Sequence, residues 1–166
     1  MSLIGIVANT KNFENLKHEL NKGIKNNSYQ FIHICKDSLD NIRNIKFDVI
    51  IITTGINNLL EKKEVIEKIC VNSKYLLLNA DVENNLEFLQ NKKITVITYG
   101  LNPKSTVTIS SINEEEILIA LQRNIKTLQG NIIEVGEKRV SVSENKKLSP
   151  QDILAINIIF WIYENE

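Results

Sequence analysis

The run "DVIIITT", residues 48–54, decides the architecture. Val49, Ile50, Ile51 and Ile52 are apolar on successive positions, with no polar residue between them. Side chains of a strand alternate between its two faces, so an unbroken apolar run describes a strand covered on both. Such strands belong to parallel sheets with helices packed on each side. On the N-terminal side, apolar runs over 3–8 and 31–35 read as two more strands. Between them Phe13, Leu16 and Leu20 recur at helical spacing, predicting a helix over 13–23 that stops at Gly23. A short polar helix or loop fills 38–44. On the C-terminal side, Leu60, Val65, Ile66 and Ile69 mark a helix over 59–69. A strand over 74–78, a helix over 83–90 and a strand over 94–98 complete an alternating series of five strands.

After Gly100 the rhythm changes. Strands are predicted over 106–112 and 116–125, with a hairpin of 131–135 and 138–142 turning at "GEK", where Gly136 supplies a permissive backbone. The chain closes in a helix over 149–164, with Ser149 at its N-cap, Pro150 at its first position and Asp152 in its first turn. The expectation is one α/β domain over 1–166, a Rossmann-like, mostly parallel sheet flanked by helices. Its parallel part covers 1–105, and a C-terminal antiparallel β extension with the final helix covers 106–166.

At 166 residues the chain is long enough for one domain with a real core. Twenty basic residues balance twenty acidic ones, so no global field draws in nucleic acid or an anionic membrane surface. The "NKK" turns at 91–93 and 145–147 are too short to form a nucleic-acid groove. No signal-peptide pattern opens the sequence, and no apolar run reaches the ~18 residues of a membrane span. Cys35 and Cys70 fit neither a zinc pattern nor a disulfide framework. A reduced, cytoplasmic protein of bacterial composition is expected, with no cofactor and no metal.

The segment 74–112 carries a resemblance. "LNAD" at 78–81, then "ITVITYGLNPKSTVTISSI" at 94–112, resembles the latter half of the central domain of the Mur ligases. Those are ATP-dependent amide ligases of cell-wall peptidoglycan assembly. In that family an "NADD"-like turn precedes a helix, and the next strand ends in "TFG" or "TYG". A strand of the type "ADVRATNI" follows, where this chain has "STVTISSI". Beyond residue 116 the similarity is one of topology. The family's GxxGK[ST] loop, which wraps phosphates with backbone amides, is replaced by "GIVANTKNFENL" at 5–16; Lys11 is there, the paired glycines are not. "LSPQD" at 148–152 stands in place of the family's HNxxN, and the family's third domain has no counterpart. The departures argue against amide ligation and ATP hydrolysis by the family's mechanism.

In open parallel sheets, ligands sit outside the carboxyl ends of the strands. Those ends carry Asn9, Thr10, Lys11 and Asn12 after the first strand, and Thr53, Thr54 and Gly55 after the third. Asn79 and Asp81 follow the fourth; Tyr99, Gly100 and Asn102 follow the fifth. Amides, hydroxyls, one cation and one carboxylate suit a small polar or nucleotide-like ligand. The same residue types also build turns, which gives them a purely structural alternative. His18 and His33 lack a partner at ligand or triad spacing, Ser110 and Ser111 lack a nucleophile elbow, and Glu114, Glu115 and Glu116 read as a solvated turn.

"DILAINIIFWIY" in the last helix is apolar around nearly its whole circumference, Asn157 excepted. A helix apolar all round needs cover all round. Two covers are open: a second subunit, making a homodimer anchored by Phe160 and Trp161, or the antiparallel strands of the same chain. The function expected is a non-catalytic binding or scaffold protein with a small-ligand cleft. The alternative is a nucleotide-handling enzyme or ligase subunit completed by residues of a partner chain.

Overall fold

The computed structural model describes residues 1–23, 29–83, 85, 87–89, 93–141 and 148–164. Strand β1 (Ser2–Val7) leads into helix α1 (Thr10–Gly23), then β2 (Tyr29–Ile34), α2 (Leu39–Ile42) and β3 (Val49–Ile52). A 3-10 turn (Ile56–Lys62) runs straight into α3 (Lys63–Val71), followed by β4 (Tyr75–Asn79) and β5 (Val96–Tyr99). Strands β6 (Val107–Ile112), β7 (Glu116–Leu121), β8 (Ile125–Lys126), β9 (Ile132–Ile133) and β10 (Gly136–Ser141) precede α4 (Pro150–Tyr163).

One sheet of eight strands runs in the order β10-β7-β6-β5-β4-β3-β1-β2. Strands β1 to β6 pair in parallel, while β6–β7 and β7–β10 pair antiparallel. The antiparallel strands therefore extend the parallel sheet itself. The hinge between the two regimes is β6, which keeps register with β5 only at Tyr99↔Val107 before running on beside β7.

The apolar run of β3 does what its pattern requires. Val49 and Ile51 join the core on one face with α1 and α4; Ile50 and Ile52 join the core on the other with α2 and α3. All four are fully buried. The result is three layers, with the sheet in the middle.

Two expectations need correction. The strand predicted over 116–125 breaks after Leu121, and Ile125–Lys126 leaves the large sheet to pair with Ile132–Ile133. The hairpin predicted around Gly136 does not form. Gly136 instead opens β10, whose partner is β7 in the register Gly136↔Leu121 through Ser141↔Glu116. Of β10, Val140 packs on the core that includes α4 and Lys138 reaches Trp161, while β7 supplies the edge with which β10 pairs. Position 142 lies outside the described residues, as do 84, 86 and 90 of the helix predicted over 83–90; what is described there is a 3-10 turn at Glu87–Leu89. The 145–147 turn and residues 91 and 92 also fall outside them.

Helix α4 finds its cover within the chain. Leu154, Ala155, Ile158, Ile159 and Ile162 are completely buried, and Trp161 is only 7% exposed. Lys138 on β10 lies over the indole, 5.8 Å from the ring centre. Phe160 packs its ring over Gly23 at the end of α1, so close that a Cβ there would stand 2.2 Å from Cζ. Most of α4 is thus covered within the chain, with Phe160 left half-buried. At the helix start, Ser149 Oγ accepts from Asp152 N–H while the Asp152 carboxylate accepts from Ser149 N–H, a reciprocal capping box.

Candidate functional site

Reading the parallel strands from the edge gives 2-1-3-4-5, so the order reverses between β1 and β3. Connections leave β1 and β3 in opposite directions there, which opens a crevice outside their carboxyl ends. A cleft of about 550 Å³ lies at this place, within the size range of small-molecule sites. Its floor is Val7, Ala8, Ile34 and Leu59. Asn9 comes from the end of β1, Cys35, Lys36 and Asp37 from the end of β2, and Thr54, Gly55, Asn57 and Asn58 from the segment after β3.

Lys36 in the cleft lining and Lys62 in the 3-10 turn that follows it are each paired with a carboxylate. Lys36 Nζ lies 2.5 Å from the Glu61 carboxylate, and Lys62 Nζ lies 2.6 Å from that of Asp40. The hydrogen bond and charge of each partner raise the Lys36 ammonium above its ordinary pKa and lower the Glu61 carboxyl below its own. Asp37 takes no part in these two pairs. The rim therefore offers carboxamides, a hydroxyl, a thiol and a carboxylate, with the one ammonium in the lining, Lys36, paired on the surface to Glu61.

The start of α1 is closed from inside. Asn9 Oδ1 accepts from Asn12 N–H at 2.8 Å, and the Asn12 side-chain amide donates to Asp152 Oδ1 at 3.1 Å. Asp152 is 6% exposed, so a carboxylate occupies the neighbourhood where a phosphate loop would draw an anion. Thr53 ties the end of β3 to β1, its hydroxyl donating to Val7 O at 3.0 Å. Thr10 and Lys11 point into solvent on the first turn.

Asn79, Asp81, Tyr99 and Asn102 form a second group, away from the cleft lining. Asn79 is buried; its amide donates to Thr53 O and its oxygen accepts from Asp81 N–H. Asp81 accepts from Leu101 N–H at 2.7 Å, Asn102 N–H at 3.0 Å and the Gln151 side chain at 3.1 Å. Tyr99 is completely buried, donating its hydroxyl to Ile52 O at 3.1 Å. Burial first, then the carboxylates of Asp152 and Asp81, push this phenol well above its usual range, so it stays a donor. Asn102 closes its own turn, its oxygen accepting from Lys104 N–H. The chemistry of this group is spent on joining the ends of β3, β4 and β5.

Of the twelve strand-end residues named from sequence, Asn9, Thr54 and Gly55 line the cleft. Cys35, Lys36, Asp37, Asn57 and Asn58 line it as well and escape a sequence reading that lists no residue from the end of β2. The available signal was "CKD" directly after a strand. His33, at the same strand end, bonds Ala8 O through Nε2 at 2.8 Å and stacks on Phe13 at 4.7 Å, a structural role.

Among the described residues no group of three or more His, Cys, Asp or Glu side chains is placed to hold a metal. No helix among them is long and apolar enough to cross a membrane. No protein-family model and no curated protein matches this chain. What fold and cleft define is the class: a doubly wound α/β protein with a crevice at its strand-order reversal.

Proposed function

We propose that the chain is a non-catalytic binding protein whose cleft over β1 and β3 holds a small polar ligand. The observation that carries this reading is the pairing of an open crevice at the switch point with a closed α1 start beside it. The crevice offers hydrogen-bonding side chains over an apolar floor, the usual composition of a ligand site. At the α1 start Asn9 caps the Asn12 N–H and the Asp152 carboxylate stands beside it, a neighbourhood that disfavours the phosphate of a phosphoryl-transfer substrate. A degenerate relative of the Mur ligase central domain would have this combination, its sheet kept and its phosphate loop gone.

The test has two arms. Purified protein incubated with magnesium and ATP releases phosphate at the background rate, and Lys11→Ala leaves that rate unchanged. In a thermal-shift series of small polar compounds at least one raises Tm, because a ligand that binds only the folded state stabilises it. That rise is lost when Asn57 and Asn58 are both replaced by Ala. Turnover abolished by Lys11→Ala would overturn the non-catalytic reading.

A further inference from the structure

We infer that the ligand of this cleft is an unphosphorylated nucleoside, an inference that rests on the cleft being a ligand site at all. Two segments flank the end of β1, residues 34–37 on one side and 54–59 on the other. Val7, Ile34 and Leu59 beneath them are nearly inaccessible, at 3%, 0% and 4%, so the base of the cleft is closed core and a ligand is held chiefly by the groups of the rim. Asn57 and Asn58 stand exposed on the rim. Each carboxamide has two N–H donors and one carbonyl acceptor, which matches the mixed edge of a nucleobase. Asp37 brings a carboxylate to the end of β2, the strand beside β1. In doubly wound proteins a carboxylate placed there accepts hydrogen bonds from ribose hydroxyls.

The same surroundings disfavour a phosphate. An anion needs an uncommitted cation or open amides. Lys36 and Lys62 are held by Glu61 and Asp40. The α1 start is capped by Asn9 and faces the buried carboxylate of Asp152. Lys11 is exposed and does not line the cleft. An amino acid fares no better, since its carboxylate would meet the same lack.

Cys35 makes the site readable. It is half-buried in the cleft lining, whereas Cys70 is completely buried. Alkylation of Cys35 by iodoacetamide, followed by mass spectrometry, is measured with each of the four ribonucleosides, their 5′-monophosphates and N-acetylglucosamine. Expected is saturable protection by at least one nucleoside, with its monophosphate about tenfold weaker. Asp37→Ala, an exposed position, weakens the protection about tenfold without changing Tm in the absence of ligand. A monophosphate that protects as well as its nucleoside overturns the inference. Protection by N-acetylglucosamine and by no nucleoside overturns it too, while leaving the cleft as a ligand site. If no compound protects Cys35 or raises Tm, both readings fall.

Discussion

The carboxylate of Asp81 fills the space that a side chain at Gly100 would need: a Cβ there would lie 2.6 Å from Oδ1. Gly100 has φ +146°, a backbone conformation that other residues rarely adopt. The vacancy lets Asp81 reach the N–H groups of Leu101 and Asn102. One carboxylate thereby holds the turn after β4 to the loop that carries β5 into β6. That loop sets the single parallel register, Tyr99↔Val107, on which the antiparallel half of the sheet depends.

Gly100→Ala should therefore destabilise the fold by about 1–3 kcal/mol from backbone strain, with a further loss as Asp81 is displaced. Asp81→Ala removes the clash along with the hydrogen bonds. In a double-mutant cycle followed by urea unfolding, Gly100→Ala should cost less in the Asp81→Ala background than in the wild type. Equal costs in the two backgrounds would show that the two positions are not coupled.

A second carboxylate, Asp48, makes the fold sensitive to acid. Burial acts to raise the Asp48 pKa, but Lys74 Nζ at 2.6 Å, the Ser2 hydroxyl at 2.7 Å and Leu3 N–H at 3.0 Å together bring it below its ordinary 3.8. A carboxyl depressed in the folded state adds stability above its unfolded pKa, and that stability is lost as pH falls through the folded value. The contribution is thus full at neutral pH and disappears below 3.8. Asp48→Asn should lower stability at pH 7 by about 1–3 kcal/mol and flatten the acid limb of the unfolding curve. An acid limb as steep as that of the wild type would place the sensitive group elsewhere.

How much of this was legible in advance depended on whether the determining contact was local. Val49–Ile52 announced a strand buried on both faces, because burial on both faces is a property of consecutive residues. Ser149, Pro150 and Asp152 announced the start of α4, because a cap spans only one turn. The order of strands is not local. Only once β2 and β3 are known to flank β1 does the end of β2 gain special weight, so the place of Cys35 to Asp37 in the cleft is not legible from the sequence. Asp81 was singled out for its charge, but its role depends on Gly100, whose backbone angle no local pattern gives. The immediate neighbours of Gly136 describe a turn, whereas its position is fixed by Leu121 on another strand.

The close approach of Phe160 to Gly23 gives the next expectation. A methyl group on Gly23 meets three ring carbons at 2.2, 2.7 and 2.9 Å, so the ring must move off the end of α1. Overpacking of this kind costs about 1–3 kcal/mol. Gly23→Ala should lower the unfolding midpoint even though alanine is the better helix former. Combined with Phe160→Leu, which clears the ring, Gly23→Ala should become neutral or stabilising. If it remains as costly there, the contact with Phe160 is not the source of the loss.

The last expectation concerns association. An apolar helix drives dimerisation when its face is left to solvent, and α4 is not left so. Trp161 has β10 and the Lys138 side chain above it, and Tyr163 packs edge-on against Tyr29 at 4.8 Å. The chain should sediment as a monomer at micromolar concentration. Trp161 is its only tryptophan, so intrinsic emission should already be blue-shifted in that monomer and unchanged on dilution. Trp161→Ala should then cost about 3–5 kcal/mol of folding stability, the loss expected of a buried aromatic, and leave the sedimentation coefficient of the folded fraction as it was. A concentration-dependent red shift of the emission on dilution, or a dimer that Trp161→Ala dissociates without unfolding, would return α4 to the role of an interface.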